Sequence, residues 1–168
     1  MGQTASEGVG TAHRSDDLPP VTFRCCKNRD MPAIMEIDRE SFFDPWSAAT
    51  WQRELNSPIA CWIVEETEGA VVGYAGIWIV AGEAQVMRVA VQKAMRNRGL
   101  GLALTQALIR KAWDAAAEAV TLEVRESNLA ARKVYERCGF VSGGVRPDYY
   151  SDTHEGAVIM WLYRSGEV

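Results

Sequence analysis

Histidine is scarce in this chain, and its cysteines lack the spacing of metal or redox sites. The candidate ligands are two histidines and four cysteines: His13, His154, Cys25, Cys26, Cys61 and Cys138. Zinc sites and catalytic dithiols depend on close clusters such as C-x-x-C, and none occurs. The sequence therefore predicts no metal site, and thiols that are reduced and mostly buried.

Excess positive charge and long apolar runs are also missing. The net charge is −4, whereas a nucleic-acid-binding protein normally carries a basic stripe, so we expect no direct nucleic-acid binding. No apolar run approaches the roughly 20 residues that span a bilayer, and residues 1–20 lack the apolar centre of a signal peptide. We expect a cytoplasmic protein without membrane association, with a flexible tail over 1–20 and one domain over 21–168.

Hydrophobic periodicity divides residues 21–168 into eleven elements. Strands are predicted at 21–25, 60–65, 70–80, 84–91, 120–125, 141–145 and 157–163. Helices are predicted at 30–42, 47–56, 99–117 and 128–139. Asp30, Ser47 and Asn128 are the expected N-caps, and Gly139 the C-cap glycine. The order β-α-α-β-β-β-α-β-α-β-β indicates a mixed α/β domain.

A glycine-containing loop, R-N-R-G-L-G over 96–101, joins the strand at 84–91 to the long helix. Free N–H groups and the helix dipole make such a helix start an anion site. Gly99 and Gly101 allow close approach because they carry no Cβ, and Arg96 and Arg98 add positive charge. Both the P-loop and the dinucleotide-binding patterns are absent. The loop therefore predicts a phosphate-bearing ligand of another class.

The pattern R-x-x-G-x-G at 96–101 resembles the pyrophosphate-binding motif of the GNAT acetyltransferase superfamily. A second superfamily block, N-x-x-A-x-x-x-Y-x-x-x-G-F, is matched in register at 128–140. The segments at 42–47 (F-x-x-P-W-S), 122–128 and 146–152 are similar to the bacterial RimI group, which acetylates the N-terminal alanine of a small-subunit ribosomal protein. The resemblance extends from about residue 21 to 164 and implies a GNAT-like mixed central sheet in a single domain.

The resemblance also implies acetyl-coenzyme A as acetyl donor, with Glu123 as the base and Tyr135 as the acid. The cofactor-binding residues that it implies are Val89, Ala90, Val91, Arg96, Asn97, Arg98, Gly99, Leu100, Gly101, Leu102 and Asn128. In the family, the backbone of the strand that matches residues 89–91 forms hydrogen bonds with the pantetheine arm, which lies beside it like an additional strand. The chain departs from the group at Arg88, where asparagine or a similar residue is usual, and at 92–93, where Asp-Pro is usual.

The proposed chemistry needs a base because a peptide α-amine, with a pKa of about 7.7–8.0, is mostly protonated near neutral pH. Strand alternation directs Glu123 away from the face of Leu122. A solvated carboxylate paired with Arg125 or Arg88 is the alternative for Glu123, and a core position is the alternative for Tyr135. No histidine lies near Cys138 in sequence, so we expect direct attack without an acyl-enzyme.

Residues on the substrate side carry two interpretations each. Four aromatic residues could wall a peptide slot or simply pack under loops: Phe42, Trp46, Tyr149 and Tyr150. Five acidic residues could attract a basic peptide or form a solvated face: Asp38, Glu40, Asp44, Asp148 and Asp152.

Three functions follow from these patterns. The leading one is acetylation of the N-terminal alanine of a ribosomal protein by a monomer or weak dimer. The second is a GNAT enzyme for a small amine, and the third a non-catalytic acyl-coenzyme A-binding module.

Overall fold

The computed structural model describes residues 19–165, which form seven strands and four α-helices. The strands are β1 (Val21–Cys25), β2 (Ala60–Thr67), β3 (Ala70–Val80), β4 (Glu83–Val91), β5 (Ala119–Arg125), β6 (Val141–Arg146) and β7 (Ala157–Tyr163). The helices are α1 (Met31–Ser41), α2 (Ala48–Leu55), α3 (Leu100–Asp114) and α4 (Leu129–Arg137). The predicted order and mixed α/β class are confirmed. Apart from its last two residues, the predicted tail lies outside the described range.

The strands form one sheet in the order β1-β2-β3-β4-β5-β7-β6, and all neighbours are antiparallel except β4 and β5. The parallel pairing is short, from Glu83 opposite Ala119 to Gln85 opposite Thr121. Two residues later, at Met87, β4 bulges, because Gly76 lies opposite Arg88 while the next residue, Ile77, lies opposite Val86. Beyond Gln85 and Thr121, β4 and β5 no longer pair with each other, although each still pairs with its other neighbour. We call the resulting opening in the middle of the sheet the notch.

The helices cover both faces of the sheet. Leu104 and Leu108 of α3 are buried in a core with Ile77 and Leu122, and α4 packs beside them through Ala131. On the opposite face, Ile34 and Ile37 of α1 and Trp51 of α2 pack with two aromatic residues of the sheet, Trp62 and Tyr74. The notch is therefore flanked by α3 and α4 on one face and by α1 and α2 on the other. Among residues 19–165, no helix is both long and apolar enough to span a membrane.

The predicted helix caps are confirmed at three of four positions. Ser47 Oγ accepts a hydrogen bond from the N–H of Thr50, and Asn128 Oδ1 accepts one from the N–H of Ala131. Gly139 follows α4 with a φ of 97°, which suits a C-terminal glycine. Asp30 occupies the predicted N-cap position of α1, but its carboxylate accepts from Arg24 and from the Lys27 N–H and caps no amide of the helix.

The long helix α3 is shorter than predicted. It ends at Asp114, because Ala116 has a φ of 60° and turns the chain. The N–H of Glu118 then bonds the carbonyl of Gly82, which brings the following residues into line as β5 beside β4.

Asp38 also differs from its sequence interpretation as a surface charge. Its side chain is fully buried, and its two oxygens accept hydrogen bonds from Tyr74, Arg88 and the N–H of Trp46. A buried carboxylate requires such partners. Asp38 is therefore part of the scaffold and attracts no peptide.

Glu65 on β2 gives stability an unusual pH dependence. Its carboxyl is fully buried, and within residues 19–165 neither oxygen has a hydrogen-bond partner. Burial raises its pKa to about 7 from the ordinary 4.5. The folded protein therefore holds the proton of Glu65 more tightly than the unfolded chain does. The contribution of this proton to the free energy of unfolding is fully present below pH 4.5 and is lost as pH rises through 7.

We expect Glu65→Gln to remove this slope. Between pH 4.5 and 8, the ionisation of Glu65 lowers the free energy of unfolding of the parent by about 3 kcal/mol, at about 1.4 kcal/mol per unit of pKa shift. Urea unfolding of parent and variant at several pH values measures the difference. Glu68→Gln, at an exposed position, is the matched control. A parent-minus-variant difference in unfolding free energy that does not change with pH would contradict the prediction.

Candidate active site

A groove of about 520 Å³ runs along the α3 and α4 side of the notch. Its walls come from the end of β4 whose edge toward β5 is free, the start of α3, one face of α4 and the end of α1. Ten of the eleven predicted cofactor-binding residues line it: Val89, Ala90, Val91, Arg96, Asn97, Gly99, Leu100, Gly101, Leu102 and Asn128. Residues from three separate parts of the sequence thus form one surface.

The loop before α3 presents a row of free backbone amides to this groove. Gly99 has a φ of 81°, and the first hydrogen bond of the helix runs from the N–H of Ala103 to the carbonyl of Gly99. Within the described residues, no protein acceptor is bonded to the amides of residues 97–102. Together with the dipole of a 15-residue helix, these N–H groups favour an anion.

The arginines of the loop have different positions. Arg96 braces the loop, since its Nε donates to the carbonyl of Val91 at 3.0 Å and its Nη2 to Ser41 Oγ at 2.9 Å. Arg98 is exposed and is not among the residues lining the groove. Its predicted role at the phosphates stays a prediction.

Tyr135 lies in the groove wall, as α4 directs it toward β4 and α3. Its ring packs against Phe140 at 5.8 Å between centroids, in an edge-to-face arrangement. Burial raises the pKa of Tyr135 to about 12. The phenol is therefore protonated throughout the neutral range, which is the state required of a proton donor. Tyr135 therefore packs against the core and lines the groove at the same time, so both of its predicted positions apply.

Glu123 projects from the opposite face of the sheet. Leu122 and Val124 are buried in the α3 core, so the carboxylate between them points to the other side, as alternation predicted. Tyr149 donates its hydroxyl to Glu123 Oε2 at 2.5 Å, and Arg146 Nη1 lies 3.4 Å from Oε1. This hydrogen bond, followed by burial, raises the pKa of Tyr149 to about 12. The predicted partners Arg125 and Arg88 are wrong, because they pair with Asp152 and Asp38.

The notch lies between these two side chains. The groove with Tyr135 is on the α3 and α4 face, whereas Glu123 is on the face that also carries α1 and α2. An extended ligand along the free edge of β4 would bring a reactive group into the notch from one face. A second reactant would then approach from the side of Glu123. The arrangement suits a transfer between two molecules that enter from opposite faces.

Some of the remaining substrate-side candidates lie at the groove or beside Glu123, whereas others make contacts within the protein. Phe42 lines the groove, whereas Trp46 packs at 4.9 Å from Trp51. Tyr149 and Tyr150 lie edge to face at 5.0 Å on the loop beside Glu123. Three acidic candidates form hydrogen bonds or ion pairs within the protein: Glu40 with the N–H of Lys93, Asp148 with His154, and Asp152 with Arg125.

All four cysteines are free thiols, but the prediction that they are mostly buried is wrong, because Cys25 is exposed and the other three are half-buried. Burial raises the pKa of Cys26 to about 12 and shifts the pKa values of Cys61 and Cys138 in the same direction. The Cys138 thiol is thus protonated near neutral pH, which is the opposite of what a nucleophile requires. Across residues 19–165, no cluster of histidine, cysteine, aspartate or glutamate has the arrangement of a metal site.

Sequence reasoning missed several residues of the site. Arg146 contacts Glu123 from 23 positions away, and Ser41 bonds Arg96 across 55 positions, so no local pattern could indicate either pair. Thr105 and Val134 also line the groove. These two had a usable signal, since Thr105 lies one helical turn after Gly101 and Val134 lies one turn after Ala131.

Comparisons with known proteins agree with this geometry. The model of the acetyltransferase (GNAT) family matches residues 31–140. The [ribosomal protein bS18]-alanine N-acetyltransferase of Escherichia coli K12 is 32% identical over 148 residues, which are 84% of this chain and 96% of that protein. The N-alpha-acetyltransferase RimI of Mycobacterium tuberculosis is 35% identical over 141 residues, 80% of this chain and 87% of its own.

A solved structure extends the similarity to three dimensions. The crystal structure of the ribosomal-protein-S18-alanine N-acetyltransferase from E. coli has a TM-score of 0.79 and 30% identity. The match covers 88% of this chain and 97% of that one. The family model spans well over half of the chain, and its two motifs form the walls of one groove. This chain therefore belongs to the GNAT family and is an N-acetyltransferase.

Proposed function

We propose that this enzyme transfers an acetyl group from acetyl-coenzyme A to the N-terminal α-amine of an alanine-leading, small-subunit ribosomal protein. The observation that carries the proposal is the notch, with free amides and Tyr135 on one face and Glu123 on the other. Support for the substrate comes from the E. coli relative, whose name states that it acts on the alanine of bS18. That likeness covers most of both chains.

The groove fits acetyl-coenzyme A as donor. Its diphosphate would accept hydrogen bonds from the amides of residues 97–102, and its pantetheine arm would lie along the free edge of Val89, Ala90 and Val91. Space is available at the helix start, because a Cβ placed on Gly101 would meet only Val91 Cγ2, at 4.0 Å. Arg96, Arg98 and Asn128 complete the proposed contacts.

The chemistry then requires three proton transfers. Glu123 accepts a proton from the ammonium, and the freed nitrogen attacks the thioester carbonyl carbon. The C–S bond breaks, and the departing thiolate takes the phenolic proton of Tyr135. The nitrogen, which still carries one proton too many for an amide, releases it, and that proton restores the phenol of Tyr135 directly or through water. Tyr149 and Arg146 hold the carboxylate of Glu123 in position. The products are the N-acetylated peptide and coenzyme A, without an acyl-enzyme.

Both substrates are ordinary components of the bacterial cytoplasm, and we propose that the enzyme works there as a monomer or weak dimer. The acceptor would enter from the face of Tyr149 and Tyr150. Phe42 would form the opposite side of the entrance.

A panel of acceptors tests the proposal. We expect a peptide that begins Ala-Arg to be acetylated faster than matched peptides that begin with Met, Ser or Lys, and faster than polyamines, aminoglycosides and free amino acids. Release of free thiol and the mass of the product give the rates. Preference for a small amine would establish the second function. Coenzyme A binding with no turnover of any amine would establish a binding module.

A further inference from the structure

Arg88 is a buried arginine that the proposed chemistry does not use. Its side chain is 6% exposed, and it lies on β4 directly after the bulge and directly before the groove-lining Val89. The side chain is on the α1 and α2 face, opposite the groove. A buried guanidinium so close to the notch requires an explanation.

The segment between α1 and α2, residues 42–47, wraps around this guanidinium. Nη2 donates to the carbonyl of Asp44 at 2.9 Å, and Nη1 donates to Asp38 Oδ1 at 2.7 Å. The rings of Phe42 and Trp46 lie 4.2 Å and 4.3 Å from its central carbon. One side chain thus contacts three residues of the segment and the helix before it.

These contacts depend on the shape of arginine. Two flat faces serve the two rings, while forked N–H groups reach a carboxylate and a carbonyl at the same time. A lysine ammonium would keep the charge opposite Asp38, but as a compact point charge it could not satisfy the rings and the Asp44 carbonyl together.

Asp38 reinforces the same segment. Its Oδ2 accepts from the N–H of Trp46 at 2.7 Å, and its Oδ1 accepts from Tyr74. The outer side of the segment faces solvent, with Phe43 75% exposed and the side chain of Asp44 80% exposed. On its inner side the segment contacts Arg88 and Asp38, and Trp46 also packs against Trp51 and Trp62.

The N-terminal end of the segment borders the groove. Phe42 lines the groove, and the preceding Ser41 accepts from Arg96 of the loop before α3. A shift of the segment would move the wall on the acceptor side of the notch. The amides of residues 97–102 lie on another element and would keep their positions.

We propose that Arg88 is a positioning residue for the acceptor substrate: it holds residues 42–47 in place so that the entrance to the notch is formed before the peptide arrives. The inference rests on the proposed function for the identity of the acceptor. The role concerns the acceptor side: Phe42 also borders the donor groove, but the amides of residues 97–102 are bonded to no residue of the segment.

Arg88→Lys is the test, because it retains the charge that Asp38 requires. We expect the KM for the Ala-Arg peptide to rise about tenfold to a hundredfold, as for a small misplacement of a positioning element. The Kd of coenzyme A by calorimetry should stay within about twofold, since a tenfold change needs a whole lost contact. Hydrogen exchange at the amides of residues 42–47 other than Pro45, above all Trp46, should accelerate about tenfold or more.

Arg24→Lys is the matched control. Arg24 also bonds two acidic side chains, Asp30 and Glu66, but at the β1 edge of the sheet and away from the groove. We expect it to change neither the KM for the peptide nor exchange at 42–47.

Unchanged KM and exchange in Arg88→Lys would overturn the inference, as would an equal rise in KM in Arg24→Lys or a parallel loss of coenzyme A affinity. If the parent acetylates no peptide, the proposed function fails, and exchange at 42–47 still decides whether Arg88 holds the segment.

Discussion

Glu123→Gln is expected to lower kcat by a factor of about 10² to 10⁴, the usual contribution of a positioned general base. The amide keeps the size of the side chain and can still accept from Tyr149, but it cannot take a proton from the ammonium. Activity of the variant should therefore depend on amine that is already deprotonated. Its rate should rise with pH through the amine pKa of about 7.7–8.0.

Steady-state rates with the Ala-Arg peptide between pH 6 and 10 measure this effect. The Kd of coenzyme A should be nearly unchanged, because Glu123 is not among the residues lining the donor groove. Glu136→Gln, at an exposed position of α4, controls for removal of a carboxylate. A variant with the kcat and pH profile of the parent would remove Glu123 from the mechanism.

Tyr135→Phe should lower kcat by about a hundredfold, because the thiolate would leave without a proton donor. The phenyl ring keeps its contact with Phe140, so the unfolding transition should change little. A pKa of about 12 also predicts that the parent profile shows no loss of activity from this phenol below about pH 10.

Saturating kinetics and thermal unfolding of the variant give both quantities. Tyr163→Phe is the control, since Tyr163 is 63% exposed at the end of β7. An unchanged kcat would show that the thiolate is protonated by another group, and the assignment of Tyr135 would then be wrong.

Features with local causes were predictable from the sequence. The two caps at Ser47 and Asn128 follow from side chains that bond an amide three residues later. The loop before α3 follows from glycine spacing at a helix start, and the face of Glu123 follows from strand alternation. In each case, the residues that determine the feature are only a few positions apart in the sequence.

Features that depend on distant partners were not predictable. The sequence around Asp38 is typical of a surface charge on a helix. In the structure Asp38 is buried and bonded by Tyr74 and Arg88, which are 36 and 50 positions away. Asp30 has good cap chemistry, but the ion pair with Arg24 is more favourable for its carboxylate. The notch depends on a bulge at the centre of the sheet, and a strand sequence alone does not indicate which residue remains unpaired.

Calorimetric titration of the purified protein with coenzyme A tests the central claim, that the free amides at residues 97–102 hold the diphosphate of the acetyl donor. The account predicts saturable binding at one site per chain. It also predicts loss of that binding in Gly101→Trp, whose side chain would occupy open space at the helix start. Absence of any heat of binding in the parent, or unchanged binding in Gly101→Trp, would contradict it.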